Sequence, residues 1–142
     1  MISPKVRIFI YILLAVLVVW DIGLSVSTIF FPDFFYKVAH GAPYIDPQGL
    51  IKRTGAVWAA FVLLQTIAIF RWEKAAWWLV LIAGVRMTEL FSDWVYICVA
   101  QSWTTIGRVT VFTQPPMNLA IGLFLIWAYK KIMKSRDTGG IS

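Results

Sequence analysis

The sequence predicts an all-α fold: an integral membrane four-helix bundle forming a single transmembrane domain over residues 1–142. Three observations predict it. Hydrophobic residues make up 60% of the chain and charged residues only 14%, and the mean hydropathy of +0.76 is far above that of a soluble domain of this size. The apolar residues gather into four runs of roughly the 20 residues that a bilayer crossing needs, with short connections between them. Finally, the basic residues sit mostly at the ends of those runs, so the net charge of +6 reads as a topology signal rather than a nucleic-acid footprint.

The first run, residues 8–31, follows Lys5 and Arg7 and is interrupted by Asp21 and a few small polar residues. A cleaved signal peptide is the competing reading, with Lys5 and Arg7 as its basic start and Ser25-x-Ser27 as a small-x-small site. The run is long for such a segment and Asp21 precedes the cleavage site, so a first membrane helix is the expectation. Phe31-Pro32-Asp33 should end it, since proline removes a helix donor and biases its predecessor away from α. The aromatic, Pro- and Gly-containing stretch 34–49 reads as an interfacial loop with a short helix near 33–39, and its length makes it the candidate lid.

A second span is expected over 50–70, and the tight turn Arg71-Trp72-Glu73-Lys74 makes its successor, 75–100, an antiparallel neighbour. Residues 101–114 read as a polar loop, with β-branched Arg108–Thr113 extended. Pro115-Pro116 would suit the first turn of a fourth span over 115–133, and Asp137–Ser142 reads as a frayed tail. Eight Lys and Arg residues fall on the side of the termini and the 71–74 turn, against Lys37, Lys52, Arg53 and Arg108 on the other. By the positive-inside rule both termini are cytoplasmic.

The third run carries the chemistry. On a helix, Arg86, Glu89 and Asp93 lie within about one sixth of a turn, a face that cannot be turned to lipid. At about 1.5 Å per residue, Asp21 and Glu89 are nearly level, about 21 and 22 Å along their helices. Arg53 and Asn118 sit in the same outer half, whereas the inner half is close to pure hydrocarbon. The ligand-binding candidates are therefore Asp21, Arg53, Arg86, Glu89, Asp93 and Asn118, lining an outward-facing pocket. A structural network, Asp21 with Arg86 and Glu89 or Asp93 with Arg53 or Arg108, is the competing account. Three acids facing one deep base leave a carboxyl that is either paired from a loop or protonated.

Cys98 is the only cysteine and His40 the only histidine, which excludes a dithiol centre and a haem held by two histidines of this chain. No metal site or cofactor is implied, and no glycine pattern cradles a phosphate. His40 reads as a solvated loop residue. Trp58, Trp94 and Trp103 read as belt or packing residues that could equally wall a lipophilic ligand.

A first helix closing in Phe31-Pro32, the aromatic outer loop, Arg53-x-Gly55-Ala56, an arginine in the third helix and Pro116-x-Asn118 together resemble the DoxX-like group of small four-helix bacterial membrane proteins. That resemblance implies association with respiratory or redox membrane complexes. Asp21, Asp46-Pro47, Glu89 and Asp93 are more faintly similar to the emopamil-binding, sterol-isomerase-like fold, although Gln65 stands where an acid would be expected and Arg86 lies among the carboxylates. The expected function is binding of a lipophilic or amphiphilic molecule (quinone, isoprenoid or lipid) within the lipid bilayer, as a lone protein or as a subunit of a larger membrane complex. The alternatives are a purely structural accessory subunit and a membrane enzyme with Glu89 or Asp93 as general acid.

Overall fold

The computed structural model describes residues 3–139, and all the regular structure among them is helical. In chain order the helices are α1 (Pro4–Phe30), α2 (Pro32–His40), α3 (Leu50–Arg71), α4 (Trp77–Val99) and α5 (Thr105–Gly139). Four are long, and the fifth, α2, is the short helix expected after the first run. α1, α3 and the Thr105–Arg136 part of α5 are each long and apolar enough to cross a membrane. α4 matches them in length with 23 residues, but carries Arg86, Glu89 and Asp93.

Local chemistry sets most boundaries. Ser3 caps α1 by accepting the Val6 N–H, and Pro4 occupies the first turn, where its missing donor costs nothing. Pro32 both stops α1 and starts α2. α2 ends at Gly41, whose left-handed φ of +70° lets its N–H close on the Lys37 carbonyl. Before α3, the Asp46 carboxylate accepts the Ile51 N–H at 2.8 Å and the Tyr44 hydroxyl at 3.0 Å, pinning the first turn. The Ile51 N–H holds the Asp46 carboxyl below the usual aspartate range.

The start of the last helix corrects the sequence reading. Residues 105–114 are helical, not a loop with an extended stretch, and Pro115 and Pro116 lie inside α5 rather than in its first turn. The Thr104 hydroxyl accepts the Gly107 N–H at 3.0 Å and supplies a cap eleven residues before the first of the prolines. Once the helix is started there, weak propensity in Val109–Thr113 yields to tertiary packing. At the other end, Asp137–Gly139 continue α5 instead of fraying, while residues 140–142 of the expected tail lie outside the described residues.

α1 packs along α3 and α4 along α5, whereas α3 and α4 meet over a shorter stretch. The apolar core, including Ile10, Leu14, Ala68, Leu79, Ile82 and Leu125, fills the half of the bundle nearer the termini. There the Glu73 carboxylate, in the α3–α4 turn, takes Arg7 and, at 2.9 Å, Tyr11 of α1, while the Glu73 carbonyl accepts Arg136 of α5 at 2.7 Å. One short turn thus ties α1 and α5 to the junction of α3 and α4 at that end. Gly55 lets α3 lie against α1, since a Cβ there would stand 2.7 Å from Ile29 Cγ1. Outward faces remain apolar, with Val19, Leu63 and Val109 at least 60% exposed. A bilayer covers such faces. Because lipid is as apolar as leucine, helix association in that setting depends on close packing and on polar contacts between helices.

Candidate functional site

The polar contacts converge in the half of the bundle nearer α2. Arg86 of α4 is 2% exposed, and its guanidinium bonds Asp21 of α1 through Nη2 and Glu89, one turn on, through Nη1. Gln65 of α3 donates to the same Asp21 oxygen at 2.6 Å. Trp58, also of α3, donates its indole N–H to Glu89 at 3.1 Å. Asn118 of α5 donates to Asp93 at 3.0 Å. Each long helix therefore contributes to one cluster, and α4 supplies its axis.

Of the residues singled out from sequence, Asp21, Arg86, Glu89, Asp93 and Asn118 come together, and the Asp21–Arg86 pairing is the one expected. Arg53 does not join them. It is exposed in the first turns of α3, as is Arg108 in those of α5, and neither reaches Glu89 or Asp93. The reason is position: both lie at helix starts, where a long cationic side chain turns outward to the polar boundary instead of inward. Among the described residues Arg86 is thus the single cation for two carboxylates, and Asp93 has only a neutral amide.

The cluster divides by access. Asp21, Gln65 and Arg86 are sealed, at 0–2% exposure. Glu89 and Asp93 border open space on two sides. A cavity of about 350 Å³ lies between α3 and α4, walled by Phe35, Val57, Trp58, Phe61 and Tyr96. A second, of about 220 Å³, lies among α1, α2, α4 and α5, with Phe34, Val38, Ile106 and Gln114 in its wall. Both reach Glu89, Asp93 and Tyr96. Two larger grooves run along apolar helix flanks without a carboxylate and suit acyl chains rather than chemistry. Unpartnered buried atoms, Asp21 Oδ1, Gln65 Oε1, Arg86 Nε and Asn118 Oδ1, leave hydrogen-bonding capacity inside the cluster. Among the described residues, no group of three or more His, Cys, Asp or Glu side chains is placed to hold a metal ion.

α2 covers this end of the bundle and is fastened there. The Thr104 N–H donates to the Ala39 carbonyl at 3.0 Å and its hydroxyl to the Val38 carbonyl. Gly107 sits so close that a Cβ would run into Ala39. His40 is buried, not solvated: Tyr36 and Trp103 flank its ring at 4.6 and 4.9 Å, and Tyr96 meets it edge-on. Its Nδ1 is 2.7 Å from the Ser102 carbonyl, which can only accept, so that nitrogen carries the proton. In the neutral ring Nε2 is then an acceptor, and the Tyr96 hydroxyl donates to it. The stretch read as a lid is therefore latched through α2. Gln65, His40 and Tyr96 complete a site that the sequence outlined from its charges and Asn118, and Trp58, read there as packing or a ligand wall, takes a polar role in it. The available signal was Gln65 itself, a primary amide in the otherwise hydrocarbon inner half of its span, within a side chain's reach of Asp21.

No protein-family model matches the chain, and no curated protein or solved structure does either. The functional reading rests on the site alone.

Proposed function

We propose that the chain is a four-span membrane protein of the bacterial inner membrane, both termini cytoplasmic, that binds a lipophilic or amphiphilic molecule (quinone, isoprenoid or lipid) against Glu89 and Asp93. One observation carries this reading: the two carboxylates stand between aromatic-walled cavities of about 350 and 220 Å³, while the rest of the cluster is sealed. A network that served packing alone would bury all its members, because an ionisable group left beside open space in a bilayer gains nothing from that space. Mostly apolar cavities with a few convergent polar groups are the usual form of small-molecule sites.

The sealed part supports a second reading for itself. Asp21, Gln65 and Arg86 bind three helices together, which is the role expected of an accessory subunit whose charges are packing contacts. Both readings hold within one molecule, one for each part of the cluster. Glu89→Gln and Asp93→Asn should each leave the bundle folded, and combined in one chain they should abolish the thermal stabilisation given by lipid extract from native membranes. If both variants simply unfold, the structural reading covers the whole cluster. Mass spectrometry of whatever copurifies from native membrane separates a lone protein carrying extracted lipid from a subunit of a larger complex. Reporter fusions at each terminus test the orientation.

A further inference from the structure

The α3–α4 cavity has a hydrogen-bonding polarity that restricts what it can hold. Thr54, Thr88 and Ser92 border it, and each spends its hydroxyl proton on a backbone carbonyl one turn earlier, at 3.0, 2.9 and 3.1 Å. The indole N–H of Trp58 is committed to Glu89. The Tyr96 hydroxyl proton is committed to His40, because the Ser102 carbonyl fixes the imidazole proton on the opposite nitrogen. Backbone N–H groups on these walls are spent within the helices or, for Ile51, on the Asp46 carboxylate. What faces the cavity once Glu89 and Asp93 are ionised is therefore a set of acceptors: their carboxylates and the free lone pairs of three hydroxyls. Turning a hydroxyl inward to donate would cost its bond within the helix.

The geometry points to a ligand whose head group donates hydrogen bonds, a hydroxyl or an ammonium on a lipophilic body, with anionic heads and heads that only accept excluded. This rests on the pocket reading above and narrows its ligand class, excluding an oxidised quinone, whose carbonyls only accept, and keeping a quinol or an isoprenoid alcohol. An anionic head meets two carboxylates and no free cation in this cleft, since Arg86 is already shared between Asp21 and Glu89. An ether or carbonyl head leaves the acceptors facing it unpaired and desolvated, which is the strongest form of discrimination a binding pocket has. Because α2 is latched over the end of the bundle, and α3 and α4 touch over only a short stretch, the hydroxyl-bordered gap between these two helices is the way in. A head group passing between them meets Thr54, Thr88 and Ser92 as successive acceptors before it reaches Glu89.

The test uses the full chain in detergent at mildly alkaline pH with four probes sharing one tail: oleyl alcohol, its methyl ether, oleylamine and oleyl phosphate. Thermal unfolding and quenching of tryptophan fluorescence report binding. The alcohol and the amine should bind at least about tenfold more tightly than the ether and the phosphate. Which of the two binds better tells a hydroxyl ligand from a cationic one. Asp93→Asn should reverse part of the preference: the new amide's oxygen takes the Asn118 bond and its NH2 offers the cleft a donor, so the ether gains relative to the alcohol. A merely structural Asp93 would not move that ratio. If the ether or the phosphate binds as tightly as the alcohol, the donor rule is overturned while the pocket stands. If none of the four binds, the pocket reading fails with it.

Discussion

Replacing Arg86 by methionine should cost the bundle about 3–5 kcal/mol, the usual result of removing one partner from a buried charge pair. Three features of this site place it there. Arg86 and Asp21 are 2% and 0% exposed, so water cannot take over the lost contacts. Arg86 serves two carboxylates, so its loss leaves Asp21 and Glu89 without a cation. Gln65, the remaining donor to Asp21, is neutral and has only one bond to give it. In equilibrium terms the loss is roughly two to three and a half powers of ten, against a total stability of about 5–15 kcal/mol for a typical domain. Reversible unfolding in mixed micelles, followed through the eight tryptophans, measures it. The companion variant Asp21→Leu/Gln65→Leu/Arg86→Met removes the sealed pair together, leaving only Glu89 without its cation, and should recover at least about 2 kcal/mol of that loss, since a buried ion pair replaced by apolar groups of similar volume is often neutral. A single variant within about 1 kcal/mol of the parent chain would refute the reasoning. So would a triple variant no more stable than the single.

Gly55→Leu should force α1 and α3 apart, because even a Cβ there meets Thr28 and Ile29, and should destabilise by about 1–3 kcal/mol in the same unfolding assay. His40→Phe keeps an aromatic ring between Tyr36 and Trp103 but deletes both polar contacts; amide exchange in 36–44 should rise, while the Ile10–Leu17 region keeps its protection. Asp46, whose folded value lies below its ordinary 3.8, contributes to the start of α3 at all pH above that ordinary value, and the contribution disappears as pH falls through the folded value. The protection of the Ile51 amide, its exchange rate taken relative to that of an open amide at the same pH, should therefore be flat from neutral pH down to about 4 and fall below it; loss of protection already near neutral pH would rule out this account of the cap.

The axis of the site was legible because physics leaves a charged helix face in an apolar run so few choices. Arg86, Glu89 and Asp93 share a face by helical spacing, and the rise per residue brings Asp21 level with them, so the partner across the bundle follows. Arg53 looked equivalent by depth but differs in its freedom to turn outward, which depends on the helix end and not on the residue. His40 was illegible for another reason. Its burial is made by Tyr96, Ser102 and Trp103, 56 to 63 positions away, and no local pattern announces them. The same holds for the start of α5. Two adjacent prolines are a strong local signal for a helix beginning, but the cap at Thr104 also docks on Ala39, and a contact of that range outweighs local punctuation.

The separation between Asp21 and Arg86 also bears on how such a protein is made. A membrane chain inserts as it is synthesised, and 65 positions lie between this acid and its base. At a ribosome's rate of about 5–20 residues per second, the first helix waits roughly 3–13 s for its counter-charge to be made. Gln65 is synthesised in between and can offer Asp21 an interim donor from the second long helix. The ion pair then acts as a completeness check: a chain truncated before α4 holds an unpaired acid in its first membrane helix, the kind of defect that quality-control proteases can recognise. Pulse-labelled truncations ending after Arg71 should be degraded faster than the same truncations carrying Asp21→Leu.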